Sequence, residues 1–180
     1  MDTPHLDRTD VEHDGHFAMI QLASGGYMLV SEHRAAEFNR YRWHAYQQPN
    51  GRATYARRYL PGRSWPRNTV TAHRQAAGYA GADHANRIGT DNRDINLRKA
   101  TPAQQVANQA RRSDNTSGYR GVYLFRGKWI ARIKVDGKQR HLGTFATKED
   151  AARAWNAAAS VEWGAFACLN VVPEPSESAR

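Results

Sequence analysis

The chain has 180 residues, a formal net charge of +9 and a pI near 10.0. That length serves one ordinary domain or two small ones, and that charge favours an acidic polymer as partner, nucleic acid before an anionic membrane. The composition excludes a bilayer-spanning apolar run, and the lone Cys168 excludes an internal disulfide or a cysteine-based zinc cluster.

Residues 1–16 are polar and acidic and read as disordered. They lack the basic-then-apolar order of a signal peptide, so a soluble, cytoplasmic protein is expected. Phe17 to Leu22 and Tyr27 to Val30 flank Gly25-Gly26 and read as a hairpin. Ser31 is placed to cap a short helix over 32–41. Trp43 to Gln47 and Ala53 to Tyr59 flank Pro49-Asn50-Gly51, a second hairpin. Residues 60–68 read as a loop, and 69–74 as a strand. Residues 38–70 hold seven arginines and no acid. There the pair Arg57-Arg58 reads equally as a solvated pair or as a phosphate contact.

Ala82-Asp83-His84 reads as a strand end, residues 89–92 as a turn, and Ile95 to Arg98 as a short return strand. Thr101-Pro102 gives an N-cap with proline at the first helical position, for a helix to about Ala110. Residues 111–117 are polar and aperiodic, a linker. Tyr119 to Leu124, Lys128 to Val135 and His141 to Phe145 are three strands, with Asp136-Gly137 as a tight turn. Thr147 caps a helix from Lys148 to about Ser160, which offers Ala151, Ala154, Trp155 and Ala158 at helical spacing. Along the middle strand, Trp129, Ala131, Ile133 and Val135 share one face; Lys128, Arg132 and Lys134 share the other with Ile130. One face packs on the helix and the other is basic. Trp129 and Trp155 read as core, and Cys168 as a small buried apolar residue.

The central stretch places a carboxylate beside a histidine, then amides. Hydrolysis of a phosphodiester needs an activated water, neutralisation of charge at phosphorus and help for the leaving oxygen. A neutral histidine can take the proton of water near pH 7. Asp83 and His84, adjacent on a strand, point to opposite faces, so one can hold a metal while the other faces water. Magnesium takes oxygen ligands and keeps several waters, so a carboxylate and an amide suffice. Asn96 is placed to orient the imidazole through a hydrogen bond.

Asp83-His84, Asp91-Asn92-Arg93, Asn96-Leu97-Arg98, Thr101 and Asn108, with His73-Arg74 upstream, resemble the HNH homing endonucleases of phages, which have the ββα-metal fold. The likeness extends to Ile20-Gln21-Leu22, Trp43 and Tyr55-Ala56. Residues 116–170 resemble an apetala or ethylene-response-factor DNA-binding domain through Gly118-Tyr119-Arg120-Gly121-Val122, Gly127-Lys128-Trp129, Leu142-Gly143-Thr144-Phe145, Glu149-Asp150-Ala151-Ala152 and Leu169-Asn170. The resemblance implies an α+β protein: N-terminal strands and an HNH core over 17–110, the linker at 111–117, and a three-stranded antiparallel sheet packed on one helix over 118–171, with a flexible tail at 172–180. It implies His84 as general base, Asp83 as first metal ligand and Asn96 as the residue that orients the base. Gln105 stands where the family has a second metal-binding asparagine or histidine, and its stem is longer by one methylene. The implied cofactor is magnesium, with manganese as substitute, and no small molecule.

The implied partner is double-stranded DNA, bound by a monomer and cut as a nick or a double-strand break, in the cytoplasm of a phage host, with no membrane involved. Arg120, Arg132 and Lys134 fall at DNA-reading positions, Gln139 and His141 at contact positions, and Arg126 near one. Arg98 is grouped with these contacts, though loop shaping is its more economical role and that of Asn92. His73 either touches a phosphate or anchors the sheet. Histidines 5, 13, 16, 33 and 44 show no ligand spacing and read as surface residues. Two other readings stay open: a DNA-binding regulator without catalysis, which Gln105 favours, and an RNA-binding accessory protein.

Overall fold

A computed structural model describes residues 16–48, 53–62, 68–112 and 114–174. Residues 1–15, the turn expected at Pro49-Asn50-Gly51 and residues 175–180 lie outside the described residues, as do His5 and His13. The fold is α+β, with small, mainly antiparallel sheets and short helices. The chain divides into two compact units, residues 1–100 and 101–180. That division falls ahead of the linker expected at 111–117.

In the first unit, β1 (Phe17–Gln21) and β2 (Tyr27–Ser31) form the expected hairpin. Gly25 and Gly26 take positive φ in its turn, which side chains with a Cβ resist. Asp91–Asn92, β7, joins β2 in parallel, so the expected turn over 89–92 ends in a short strand. The helix expected over 32–41 is shorter: a 3-10 turn at Glu32–Arg34 runs into α1 (Ala35–Phe38). Ser31 does not cap it. Its Oγ accepts instead from the Asp94 amide at 2.9 Å, a long-range bond that no local pattern announces.

A second sheet orders β3 (His44–Gln47), β4 (Thr54–Tyr59) and β5 (Thr69–Thr71). The strand expected over 69–74 stops at Thr71, where α2 (Ala72–Ala77) begins, because Ala72 and Ala76 are one helical turn apart and both enter the core. His73 therefore sits on a helix. The core gathers Ile20, Leu22, Met28, Val30, Phe38, Trp43, Ala56 and Leu97 from these elements. Phe38 and Trp43 stack at 5.1 Å, and the Trp43 indole donates to the Phe38 carbonyl at 2.9 Å. Each such large side chain stabilises the unit by roughly 1.5–3 kcal/mol on burial. A last antiparallel pair joins β6 (Ala82–His84) to β8 (Leu97–Lys99).

The second unit begins with α3 (Pro102–Asn108), which carries the expected N-cap as a full capping box: Thr101 Oγ1 accepts from the Gln104 amide, and the Gln104 side chain accepts from the Thr101 amide. Part of the expected linker is a built turn, in which the Asn115 side chain bonds Gly118, Ser117 and the Tyr119 carbonyl. β9 (Val122–Phe125), β10 (Lys128–Val135) and β11 (Lys138–Phe145) form an antiparallel sheet with β10 in the middle. α4 (Lys148–Trp163) lies against it, capped by Thr147. Ala131, Ile133, Ala151, Ala152, Trp155 and Ala159 are buried between them, with Trp129 partly buried beside them. The first residues of the expected tail are packed: Val172 lies on this core, and the Pro173 carbonyl accepts from Arg153 at 2.7 Å. Cys168 is half-buried rather than buried. Among the described residues, no helix is long and apolar enough to cross a membrane.

Candidate active site and nucleic-acid interface

The pairing of β6 with β8 decides the fates of the adjacent Asp83 and His84. Asp83 stands opposite Arg98 and His84 opposite Leu97, so one points to a polar face and the other toward the core. The Asp83 carboxylate accepts from Arg98 Nε at 3.0 Å, and both side chains are largely covered. Arg98 is thus held by a carboxylate, which corrects its expected part in DNA contact and agrees with a loop-shaping role.

His84 is 6 % exposed. Its Nε2 lies 3.3 Å from Asn92 Oδ1. The Asn92 amide nitrogen faces the Thr90 carbonyl at 3.2 Å, which can only accept. The Asn92 oxygen therefore faces the imidazole, and Nε2 carries the hydrogen. The lone pair is left on Nδ1. Burial pulls the His84 pKa below the ordinary histidine value, an effect opposed in part by the Asn92 bond and the charges of Asp83 and Asp91.

Asn92, not Asn96, therefore orients the imidazole. Asn96 accepts from the Asn86 amide at 2.9 Å and donates to the Asp91 carbonyl at 2.7 Å. It braces the loop between β6 and β7. Asp91 is a second brace: its carboxylate takes Arg93 at 2.7 and 2.8 Å and Asn86 at 2.8 Å. Burial alone would raise the Asp91 pKa, but these donors hold it below the ordinary carboxylate value. The loop also needs Gly89, since a Cβ there would strike the Thr54 carbonyl and the Tyr55 ring.

His73 lies within this cluster, with its ring centroid 5.0 Å from His84 and 5.3 Å from Tyr55. Burial, then the neighbouring His84 and Arg74, lowers its pKa to about 4. The half-buried ring packed against His84 and Tyr55 fits the anchoring alternative for His73. Tyr55, a site residue to which no role was given in advance, contacts both histidines. Burial and the Asp83 charge raise its hydroxyl pKa. The alternation along β4 carried a signal for it, placing Tyr55, Arg57 and Tyr59 on one face.

For a divalent cation the first unit offers Asp83, whose charge Arg98 already balances. Gln105, the other expected ligand, lies on α3 in the second unit. Among the described residues, no three His, Cys, Asp or Glu side chains cluster as a metal site.

The second candidate is the sheet face turned away from α4. Strand register puts Lys128 opposite Phe125, Ile130 opposite Tyr123 and Thr144, Arg132 opposite His141, and Lys134 opposite Gln139. Opposed residues share a face, so Arg132, Lys134 and His141 are brought together as expected. The Arg132 guanidinium lies over the Tyr123 ring at 4.9 Å. Arg126 sits in the adjoining turn, over Phe125 at 5.3 Å. Arg120 is a correction. Its guanidinium donates to the carbonyls of Ala107 at 2.7 Å and Cys168 at 3.1 Å and covers Trp155 at 5.1 Å, so it ties α3 and the C-terminal segment to the sheet instead of facing DNA.

Over 40 residues the chain is 58 % identical to an ethylene-responsive transcription factor-like protein of Arabidopsis thaliana. The match covers 22 % of this chain and 18 % of that protein. No family model matches the sequence.

Proposed function

We propose that the chain is a DNA-binding protein of the regulator type, reading duplex DNA with the face of the β9–β11 sheet opposite α4. The observation that carries this is the match to an ethylene-responsive transcription factor-like protein, in keeping with the resemblance of residues 116–170. The face has the chemistry for the task. Arg132 can present a fork to guanine edges and Lys134 a point charge to phosphates, while His141 and Gln139 add hydrogen-bonding groups beside them. The test is fluorescence anisotropy on a labelled duplex. The double variant Arg132→Ala/Lys134→Ala should bind at least tenfold more weakly, each lost base or phosphate contact being worth about 1–3 kcal/mol. Unchanged affinity would reject this face as the reader.

A second reading, metal-dependent hydrolysis of a DNA phosphodiester, is favoured by one observation in the first unit: a buried imidazole oriented by Asn92 beside a carboxylate. In this reading His84 Nδ1 takes a proton from water, and Asn92 keeps the other ring nitrogen protonated. Asp83 would hold magnesium or manganese, with water filling most of the shell, to supply neutralisation of phosphate charge. Incubating supercoiled plasmid with either cation, wild type against His84→Ala, separates the readings. Conversion to open circle by wild type alone supports the nuclease. No conversion by either, with DNA affinity intact, leaves the binding protein.

A further inference from the structure

The first unit carries a cationic, aromatic surface that neither reading uses. Register places His44 opposite Arg57, Tyr46 opposite Tyr55, Arg57 opposite Thr71 and Tyr59 opposite Thr69. These side chains therefore share the face of the β3–β4–β5 sheet away from Ala45 and Ala56, which pack on the core. None of the three strands contains an acid.

Arg57 is the centre of this face. Its guanidinium lies over the Tyr46 ring, 4.1 Å from the centroid. Tyr59, more than half exposed, stands beside His44 at 5.7 Å. Three arginines of the unit have carboxylate partners: Arg34 holds Asp94, Arg93 holds Asp91 and Arg98 holds Asp83. Arg57 forms no ion pair among the described residues, and its Nε–H is covered without a hydrogen-bond partner. A guanidinium held against an aromatic ring keeps its charge without a carboxylate partner, and its planar fork of donors suits phosphate oxygens. At its Tyr55 end this face meets His84, with ring centroids 5.7 Å apart.

We propose that this sheet face is a second contact surface for the phosphates of duplex DNA, centred on Arg57 and flanked by His44 and Tyr59, leading the backbone toward His84. It rests on the reading of the chain as a DNA-binding protein. It does not require that the chain cut DNA.

The experiment uses the full chain in two backgrounds, wild type and Arg132→Ala/Lys134→Ala, and measures duplex affinity by anisotropy between about 50 and 200 mM salt. Arg57→Gln should weaken binding several-fold at the lower salt in both backgrounds. It should also reduce the salt slope by about one, so that its affinity falls roughly three- to fourfold less than the parent's across that range. Near-UV circular dichroism checks that each variant folds. Arg57→Gln with parental affinity and slope in both backgrounds overturns the proposal. So does an Arg57-dependent preference for RNA over duplex DNA of the same sequence. If Arg132→Ala/Lys134→Ala costs nothing while Arg57→Gln does, the second unit's reading face fails and this surface stands.

Discussion

Two imidazole rings with centroids 5.0 Å apart inside one unit set a pH limit on its stability. Charging either ring means placing a cation in a desolvated position beside the other histidine. The cost appears as the depressed pKa of His73, about 4 against an ordinary 6.5. The unfolded chain therefore binds protons that the folded chain refuses over that interval. Stability is fully present above about pH 6.5, falls as the pH drops, and levels off near pH 4, a loss on the order of 3 kcal/mol from this residue. His84 adds to it in the same direction. Thermal melts from pH 7.5 to 4 should show the decline, and His73→Phe should flatten part of it while keeping the ring against Tyr55. A melting temperature independent of pH in the wild type would contradict the buried, neutral pair. Asn92 belongs to the same scale. Its carbonyl oxygen assigns the proton on His84, so Asn92→Ala should mix the two imidazole tautomers, read from the ring nitrogen shifts by NMR.

Among the elements, the contact of the β9–β10 region with α4 tolerates least change. Gly121 adopts φ of +69°, and a Cβ there would strike the Trp155 ring and the Arg132 carbonyl. Trp155 is itself the pivot of the second unit's core, packed with Ile133 and Ala159 and covered by Arg120. Gly121→Ala should cost about 2–4 kcal/mol, from left-handed backbone strain and from overpacking, seen as a lower urea midpoint. A change under about 0.5 kcal/mol would mean the ring can swing aside. By contrast, removing the α3 capping box with Thr101→Ala should cost about 1 kcal/mol. The strands and helices of this unit were legible from local pattern because each signal was local: a two-residue turn, a capping residue, a small-residue stripe. Where elements were misplaced, the deciding contact was remote. Ser31 forgoes its capping role for the amide of Asp94, and the strand from Thr69 ends early because Ala72 and Ala76 enter the core as a helix.

For the whole molecule, the net charge of +9 means that the proposed binding to DNA should depend on salt. If both proposed surfaces, the second unit's sheet face and the Arg57 face, contact phosphates, the logarithm of affinity should fall with the logarithm of salt with a slope of several units. Combining Arg57→Gln with Arg132→Ala/Lys134→Ala should remove about two units of it, one each for the phosphate contacts of Arg57 and Lys134. A slope near zero in the wild type would contradict phosphate binding altogether. The arginines that matter cannot be told by counting. Arg98 and Arg120 looked as suited to DNA as Arg132, yet one closes an ion pair with Asp83 and the other binds carbonyls of its own chain.

The sequence by itself determined the α+β class, the order of most strands and helices, the basic strand face of residues 128–134 and the adjacency of Asp83 and His84. Periodicity, turn residues and caps act between neighbours in the chain, and those distances are fixed by covalent geometry. Only the tertiary structure decided that Asn92 rather than Asn96 bonds His84, that His73 is a partly covered ring packed against His84 and Tyr55, that Arg98 and Arg120 are held within the protein, and that Arg57 forms no ion pair among the described residues. Each depends on which groups meet across strands and loops, and that is set by register and burial, which sequence spacing does not encode.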